Sequence, residues 1–354
     1  MGKAVCDTIE KYIAKDEFHT VPENPVNIVY AADDNYAEML GVSLLSLFAK
    51  SGDVQKFNLF ILERNISEAN KRRIHEICGT YKRELPVWIK AKDICHELNM
   101  KVTVDRGSLN QYARLFISSA LPADLDRVLY LDCDIILHKS VEELWKLDMK
   151  GKTVAALLDA FSKYYRGNIG LQSKDIMFNS GVMLIDLKRW RGDNIEEKIL
   201  NFIVEKKGKV QQGDQGVLNA VLSKDVYCFE PCFNAVTIFF DFSYEDMCIY
   251  RKPPVFYGEE QVRKAVEDPV IVHFTTSFMS RRPWMEGCSH KYGEEWMRYR
   301  NMSPWRNMSL RQDDRQDWKR FCSWIYPKIP RGISTRTAGF FQVYVRPLKN
   351  RIFC

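Results

Sequence analysis

The chain has 354 residues, of which 46% are hydrophobic and 12% aromatic, so it can bury a substantial core and is not a disordered chain. Its ten cysteines form no CxxC pair, which disfavours a zinc site or a disulfide framework and favours a reducing cytoplasm. No apolar run approaches the length that crosses a bilayer, so we expect no membrane-spanning segment.

The net charge of +6 is unevenly distributed. Residues 318–354 contain eight basic and no acidic side chains, interleaved with Trp, Phe and Tyr. Cations and interfacial rings together are typical of a segment that binds an anionic membrane surface. Binding of nucleic acid and a solvated helical tail are the alternatives. We favour the membrane and expect no nucleic-acid partner.

The first predicted element is a short amphipathic helix within residues 1–24. Strands and helices then alternate. The predicted strands are Asn27–Ala32, Phe57–Leu62, Pro86–Lys90, Arg127–Leu131, Thr153–Leu158 and Gly181–Ile185. The predicted helices are Tyr36–Lys50, a helix capped by Ser67, Tyr112–Ala120, and a helix that runs from a capping box at Ser140–Glu143 to Leu147. This alternation predicts an α/β protein with a mostly parallel sheet, which binds ligands at the carboxyl ends of its strands.

Two carboxylates follow the fourth predicted strand directly. Asp132 and Asp134 lie one residue apart after the apolar run RVLYL, so an extended backbone points both the same way. Such charge is costly at the end of a buried strand unless a cation neutralises it. The sequence therefore predicts a divalent metal that shares its oxygen ligands with a diphosphate. A loop with two solvated aspartates is the alternative.

The first predicted strand ends in a second polar motif, Ala31-Ala32-Asp33-Asp34-Asn35-Tyr36. Small alanines let a flat base approach the backbone, where a carboxylate accepts from a uracil N–H and a tyrosine ring stacks. The alternative is a helix N-cap supplied by Asp34 or Asn35. The chain has no GxGxxG pattern that opens a helix after a strand and no Walker A sequence, which disfavours NAD and ATP.

Six motifs together identify a family. They are VYAADDNYA, YARL at 112–115, VLYLDCDIIL, FNSGV at 178–182 with LIDLKRW, GDQ at 213–215, and VHF with a later RPW. In this order they resemble glycosyltransferase family 8, which includes bacterial lipopolysaccharide galactosyl- and glucosyltransferases and, more distantly, glycogenin. The resemblance extends from Asn27 to Trp284.

The resemblance implies a GT-A fold, a UDP-hexose donor and Mn²⁺, with Mg²⁺ as the alternative cation. Asp132, Asp134 and His273 would hold the metal, and the imidazole favours Mn²⁺. By the same resemblance, two further groups of residues would bind the donor. Ala31, Ala32, Asp33, Asn35 and Tyr36 would hold uridine, while Asn179, Asp214 and Gln215 would contact the hexose. Arg114 would bridge the diphosphate and the sugar.

Gln215, Asp214 and Arg114 are the predicted catalytic residues. The family retains the anomeric configuration, which gives an α-linked product. Because the amide of Gln215 is a poor nucleophile, we favour front-face attack over double displacement, with Asp214 as the alternative nucleophile. The segment after His273, FTTSFMSRRPW, departs from the Gly…Lys-Pro-Trp pattern of many bacterial members. Arg282, or else Arg281, would replace the lysine that meets the diphosphate.

These predictions divide the chain into an extension (1–24), a GT-A catalytic domain (25–290) and a basic, aromatic, helical membrane-association region (291–354). The predicted enzyme is a UDP-sugar-dependent hexosyltransferase on the cytoplasmic face of the membrane. It would transfer galactose or glucose to a saccharide or glycolipid of the cell surface. The alternatives are a glycogenin-like self-glucosylating enzyme and a non-catalytic nucleotide-sugar-binding protein.

Overall fold

The computed structural model describes residues 25–104, 108–313 and 315–353. The predicted extension and its amphipathic helix lie outside these ranges. The strands are β1 Val26–Asp33, β2 Phe57–Arg64, β3 Val87–Lys90, β4 Arg127–Leu131, β5 Ile135–Leu137, β6 Val154–Leu158, β7 Phe178–Asp186, β8 Val226–Cys228, β9 Ala235–Val236 and β10 Ile271–His273.

The helices surround these strands. They are α1 Ala37–Lys50, α2 Glu68–Thr80, α3 Ile94–Glu97, α4 Ile117–Ala120, α5 Glu142–Trp145, α6 Lys163–Asn168, α7 Leu187–Gly192, α8 Ile195–Glu205, α9 Gly213–Leu222, α10 Thr237–Asp241, α11 Tyr244–Arg251, α12 Glu259–Glu267, α13 Gly293–Met302, α14 Asp317–Ile325, α15 Arg331–Phe340 and α16 Arg346–Phe353. Short 3₁₀ helices span Asp34–Tyr36, Leu109–Phe116, Pro231–Asn234 and Tyr326–Lys328, and a π-helical turn spans Phe341–Val345.

The central sheet has seven strands in the order β3-β2-β1-β4-β7-β6-β8. All neighbours are parallel except β7, which runs antiparallel to β4 and β6. The predicted mostly parallel α/β sheet is confirmed. Its central strands are apolar nearly throughout because both faces are covered. Ile28 and Tyr30 of β1 pack into the core beneath α1, and Val29 packs into the core on the opposite face.

A second sheet has the order β5-β10-β9 and adjoins the end of β4. The chain leaves the central sheet after Leu131, crosses residues 132–134, and enters β5. There β10 runs antiparallel to β5, with His273 opposite Ile135. This crossing brings a histidine 139 residues away in sequence next to the aspartates that follow β4.

Two predicted helices differ from the structure. The segment predicted as the helix Tyr112–Ala120 is a 3₁₀ helix to Phe116 and α-helical only from Ile117. The helix predicted to begin at a capping box has Val141 as its N-cap without a side-chain hydrogen bond, and it ends at Trp145. The Ser140 hydroxyl accepts from the Glu142 amide at 3.1 Å and donates to Asp53, 2.7 Å away. The cap at Ser67 is confirmed, because its hydroxyl accepts from the Asn70 amide at 3.3 Å.

The C-terminal helices predicted by the sequence are present. Trp296 and Tyr299 of α13, and Trp305, pack in the same core as β1 and α1. Arg300 forms a buried ion pair of 2.6 Å with Glu38 of α1. The boundary at residues 290 and 291 stays a prediction. Across the described residues, no helix has the length and apolar character that crossing a membrane requires.

Candidate active site

Three potential metal ligands meet where the two sheets join. One ligand atom from each of Asp132, Asp134 and His273 lies within 4.8 Å of the others. The Nε2 atom of His273 is 3.1 Å from Asp134 Oδ1 and 3.8 Å from Asp132 Oδ2. Asp134 and His273 are buried, so the carboxylate and the imidazole nitrogens need partners other than water.

A chain of amides fixes the orientation of the histidine ring. The Gly181 N–H donates to Asn179 Oδ1, which therefore faces Asn234 as an acceptor and receives the Asn234 Nδ2 donor at 3.0 Å. Asn234 then presents its Oδ1 to His273 Nδ1, 2.9 Å away, so Nδ1 carries a proton. With Nδ1 bonded to Asn234, the ring directs Nε2 toward the two carboxylates. A divalent cation fits this donor set, because it accepts from all three groups at once.

Gly181 leaves the space that the histidine occupies. A Cβ atom there would lie 2.2 Å from His273 Cε1 and 2.8 Å from Asp132 Oδ2. The Gly181 carbonyl also accepts from the Asp132 amide at 2.7 Å. The site therefore needs glycine in β7 for steric reasons, a role that the sequence pattern alone did not reveal.

Arg114 joins the metal ligands to α9. Its guanidinium is 2.6 Å from Asp132 Oδ1 and 3.0 Å from Asp214 Oδ2, and it donates to the Ser180 carbonyl at 2.8 Å. It also lies over the Tyr130 ring, 4.6 Å from the centroid. Burial lowers the pKa of Arg114, but the charges of Asp132, Tyr130 and Asp214 outweigh burial and raise it above the ordinary value. Arg114 is therefore a permanent cation beside the cluster.

The residues predicted to contact the hexose lie together beside Arg114. Asp214 and Gln215 occupy the first turn of α9, whose N-cap is Gln212. The Gln215 Oε1 atom accepts from Asn179 Nδ2 at 3.4 Å. Asn179 lies within β7, which begins at Phe178, three residues before the predicted start of this strand at Gly181. These polar side chains can therefore bind several hydroxyls of one sugar.

Asp159 is a site residue that the sequence analysis missed. It follows β6 directly, is reached by the Gln215 Nε2 donor at 3.3 Å, and burial raises its pKa. The sequence signal that could have identified Asp159 is its position directly after the apolar strand in TVAALLD. Asp132 follows the apolar run RVLYL in the same way.

The predicted uridine residues lie beside the metal ligands. Ala31 and Ala32 lie at the end of β1, and the Ala31 carbonyl accepts from the Cys133 thiol at 3.3 Å. Asp33 caps the 3₁₀ turn by accepting from the Asn35 amide at 3.1 Å, and it also accepts from Ser108 Oγ at 2.7 Å. Neither predicted alternative cap is used. Asp34 instead accepts from the backbone amide of Ser67, which caps α2, and from the side-chain amide of Asn70 in the first turn of α2.

The two candidate arginines point in different directions. Arg282 lies 3.7 Å from Asp134 Oδ2 and donates to the Tyr36 hydroxyl at 3.3 Å, so it faces both the metal ligands and the uridine residues. Arg281 is 3.2 Å from Asp313 and donates to the Glu286 carbonyl at 2.9 Å. The structure therefore brings Arg282 into the site and leaves Arg281 outside it.

Comparisons with known proteins agree with this geometry. The profile of the family described as Glycosyl transferase family 8 matches residues 27–288. General stress protein A of Bacillus subtilis (strain 168) is 31% identical over 286 residues, which cover 79% of this chain and 94% of that protein. Lipopolysaccharide 1,2-glucosyltransferase of Escherichia coli (strain K12) is 22% identical over 290 residues, which cover 81% of this chain and 80% of that enzyme.

The fold is similar to that of a solved galactosyltransferase. The crystal structure of galactosyltransferase LgtC in complex with donor and acceptor sugar analogues superposes with a TM-score of 0.65 and 25% identity. The match covers 79% of this chain and 96% of LgtC. The mixed sheet and its flanking helices therefore form a GT-A fold.

Proposed function

The chain belongs to glycosyltransferase family 8, and from this premise we propose that it is a retaining, UDP-sugar-dependent hexosyltransferase. It transfers galactose or glucose to a hydroxyl of a saccharide or glycolipid acceptor and forms an α-linkage. The observation that carries the proposal is the cluster of Asp132, Asp134 and His273 with a guanidinium on each side. That arrangement suits a diphosphate leaving group bound through a metal.

Each part of the donor has a complementary group of residues. Asp132, Asp134 and His273 would hold Mn²⁺, with Mg²⁺ as the alternative. When bound, the cation would neutralise charge on the diphosphate. The carboxyl end of β1 would bind uridine through the residues described above. The first turn of α9 and Asn179 would bind the hexose, whose identity as glucose or galactose depends on contacts near Asp214 and Gln215.

Arg114 and Arg282 are the groups that stabilise the departing nucleotide. Both guanidiniums are held in place before the donor binds, so little reorganisation is required as negative charge develops. The Gln215 amide is a poor nucleophile, and the Asp214 carboxylate is paired with Arg114 at 3.0 Å. This pairing supports front-face attack, with the UDP oxygen taking the acceptor proton. A glycosyl adduct trapped on Asp214 would contradict this route.

The experiment is hydrolysis and transfer assayed with UDP-glucose and UDP-galactose, with and without Mn²⁺. We expect turnover that requires the metal and disappears in Asp134→Asn but not in the exposed control Asp124→Asn. Binding of UDP without turnover in the wild type would support the non-catalytic alternative. A hexose found covalently on the chain itself would support a glycogenin-like enzyme.

The basic, aromatic C-terminal surface supports a lipid-linked acceptor. Trp318, Phe321 and Trp324 of α14 are 57–60% exposed, and Phe340 and Phe341 are 56% and 57% exposed. We propose that these rings and the surrounding cations hold the enzyme on the anionic cytoplasmic face of the membrane. The similarity to a lipopolysaccharide glucosyltransferase supports an acceptor of the cell-surface glycan class.

Vesicle flotation tests this surface. The wild type should float with phosphatidylglycerol vesicles but not with phosphatidylcholine vesicles, and replacing Trp318, Phe321 and Trp324 by alanine should abolish flotation. Replacing the exposed Val204 of α8 by alanine is the control. Salt-sensitive binding to nucleic acid without flotation would overturn the membrane assignment.

A further inference from the structure

The loop that contains Arg282 is hydrogen-bonded to the end of α10. We call residues 274–284, which follow β10 and end at Trp284, the phosphate loop. The hydroxyls of Ser277 and Ser280 both donate to Asp241 at the end of α10. Burial raises the pKa of Asp241, while the two hydroxyls favour its carboxylate form. This contact anchors the middle of the phosphate loop to the core.

Arg315 also binds the same loop. Its Nη1 donates to the carbonyls of Phe278 and Met279 at 3.0 and 3.4 Å. Its Nε and Nη2 pair with the two oxygens of Asp313 at 2.8 and 2.9 Å. The side chains of Arg315 and Asp313 are only 8% and 13% exposed. The hydrogen bonds from Arg315 hold the pKa of Asp313 at about 2.

Further contacts link the phosphate loop to the C-terminal helices. The Ser323 hydroxyl of α14 donates to the Met279 carbonyl at 3.2 Å. The Tyr326 ring lies edge-on to the Phe278 ring, with centroids 5.5 Å apart. Asp313 also pairs with Arg281, which turns that side chain away from the metal ligands. The loop is therefore bound by residues beyond the segment that the family profile matches, which ends at residue 288.

We infer that Arg315 is a positioning residue for the donor diphosphate: it holds the phosphate loop in the conformation that places Arg282 beside Asp134. The ligand class, a nucleoside diphosphate, rests on the proposed function. Backbone carbonyls bound by a buried guanidinium are fixed before the donor arrives, so the donor does not have to order them. The C-terminal segment thus completes the donor site in addition to presenting an outer surface.

Hydrogen exchange of the free protein tests the positioning step without any ligand. In Arg315→Ala, amides of residues 274–284 should exchange faster, while those of β1 and β4 keep their rates. Arg315→Lys should restore part of the protection. Arg298→Ala, at an exposed arginine of α13, is the matched control. Unchanged exchange of the loop in Arg315→Ala would overturn the inference, whatever the enzyme's donor proves to be.

Binding and kinetics then separate positioning from catalysis. We expect Arg315→Ala to weaken UDP binding in Mn²⁺ about tenfold, and to raise KM similarly with kcat within about threefold. Arg282→Ala should instead lower kcat, because it removes a group that stabilises the leaving nucleotide. UDP affinity of Arg315→Ala within twofold of the wild type would overturn the inference. Failure of the wild type to bind UDP would overturn the proposed function, and the exchange result would still decide the role of Arg315.

Discussion

Gly181→Ala is expected to disable the metal cluster without breaking the fold. The φ angle of Gly181 is not positive, so alanine can adopt this backbone conformation and the effect of the substitution is steric. A Cβ at this position would lie 2.2 Å from His273 Cε1, although real Cβ contacts essentially never fall below 3.0 Å. The ring must therefore move by roughly 1 Å to reach van der Waals separation. Displacement of that size costs about 100-fold in activity when it moves a positioned group.

Manganese titration of UDP-sugar turnover measures the effect. We expect the half-saturating Mn²⁺ concentration to rise about 10- to 100-fold in Gly181→Ala, and the free energy of unfolding to fall by about 1–3 kcal/mol from overpacking. Gly79→Ala is the control, because its added Cβ would have no atom within 4 Å apart from its chain neighbours and the backbone of its own helix. It should leave the Mn²⁺ dependence unchanged. A Gly181→Ala enzyme with a wild-type Mn²⁺ titration would refute the steric reasoning and the assignment of His273 as a ligand.

Three further outcomes follow from contacts in and around the site. Arg282→Ala should lower kcat by about 10²–10³-fold while Arg281→Ala changes it only slightly, and equal effects in steady-state kinetics would contradict the assignment. His290 is buried with its pKa lowered to about 4, so the unfolded chain takes up a proton that the folded protein does not. The free energy of unfolding should therefore fall as pH drops from 6.5 toward 4, and urea unfolding of His290→Gln should lack this component. Arg300→Ala should cost about 3–5 kcal/mol by stranding buried Glu38, whereas the double variant Arg300→Met, Glu38→Leu should recover most of the loss in urea unfolding.

Most of the fold, and the position of the site, could be predicted from the apolar runs that mark the strands. Polar residues after an apolar run mark the carboxyl end of a strand, so Asp33 and Asp132 could be placed at one edge of the sheet from the sequence. The structure brings both to that edge and adds Asp159 by the same rule. Asp159 was missed because a single carboxylate after a strand is a weaker signal than a pair.

The contacts between distant segments could not be predicted from the sequence. Asn234 sets the tautomer of His273 from 39 residues away, and nothing in its local sequence marks it. The Ser140 hydroxyl accepts from the Glu142 amide near the start of α5, but it also donates to Asp53, a tertiary contact that the local pattern does not predict. The 3₁₀ geometry at residues 109–116 likewise accompanies the long-range contacts of Arg114, which pairs with both Asp132 and Asp214.

The charges of the site imply that metal and nucleotide bind synergistically. Around the metal ligands, three carboxylates (Asp132, Asp134, Asp214) pair with two guanidiniums (Arg114, Arg282), which leaves a surplus of one negative charge at the position where we propose that the diphosphate binds. Asp132, Asp134 and His273 would hold a divalent cation that would reverse that sign, and Arg114 and Arg282 would then meet phosphate oxygens. Linkage then requires that Mn²⁺ strengthens UDP binding by the same factor by which UDP strengthens Mn²⁺ binding, about 5- to 150-fold for a typical coupling. Calorimetric titrations in both orders measure the two factors. UDP that binds equally well in a chelator would show that the carboxylates do not hold a cation between the protein and the diphosphate.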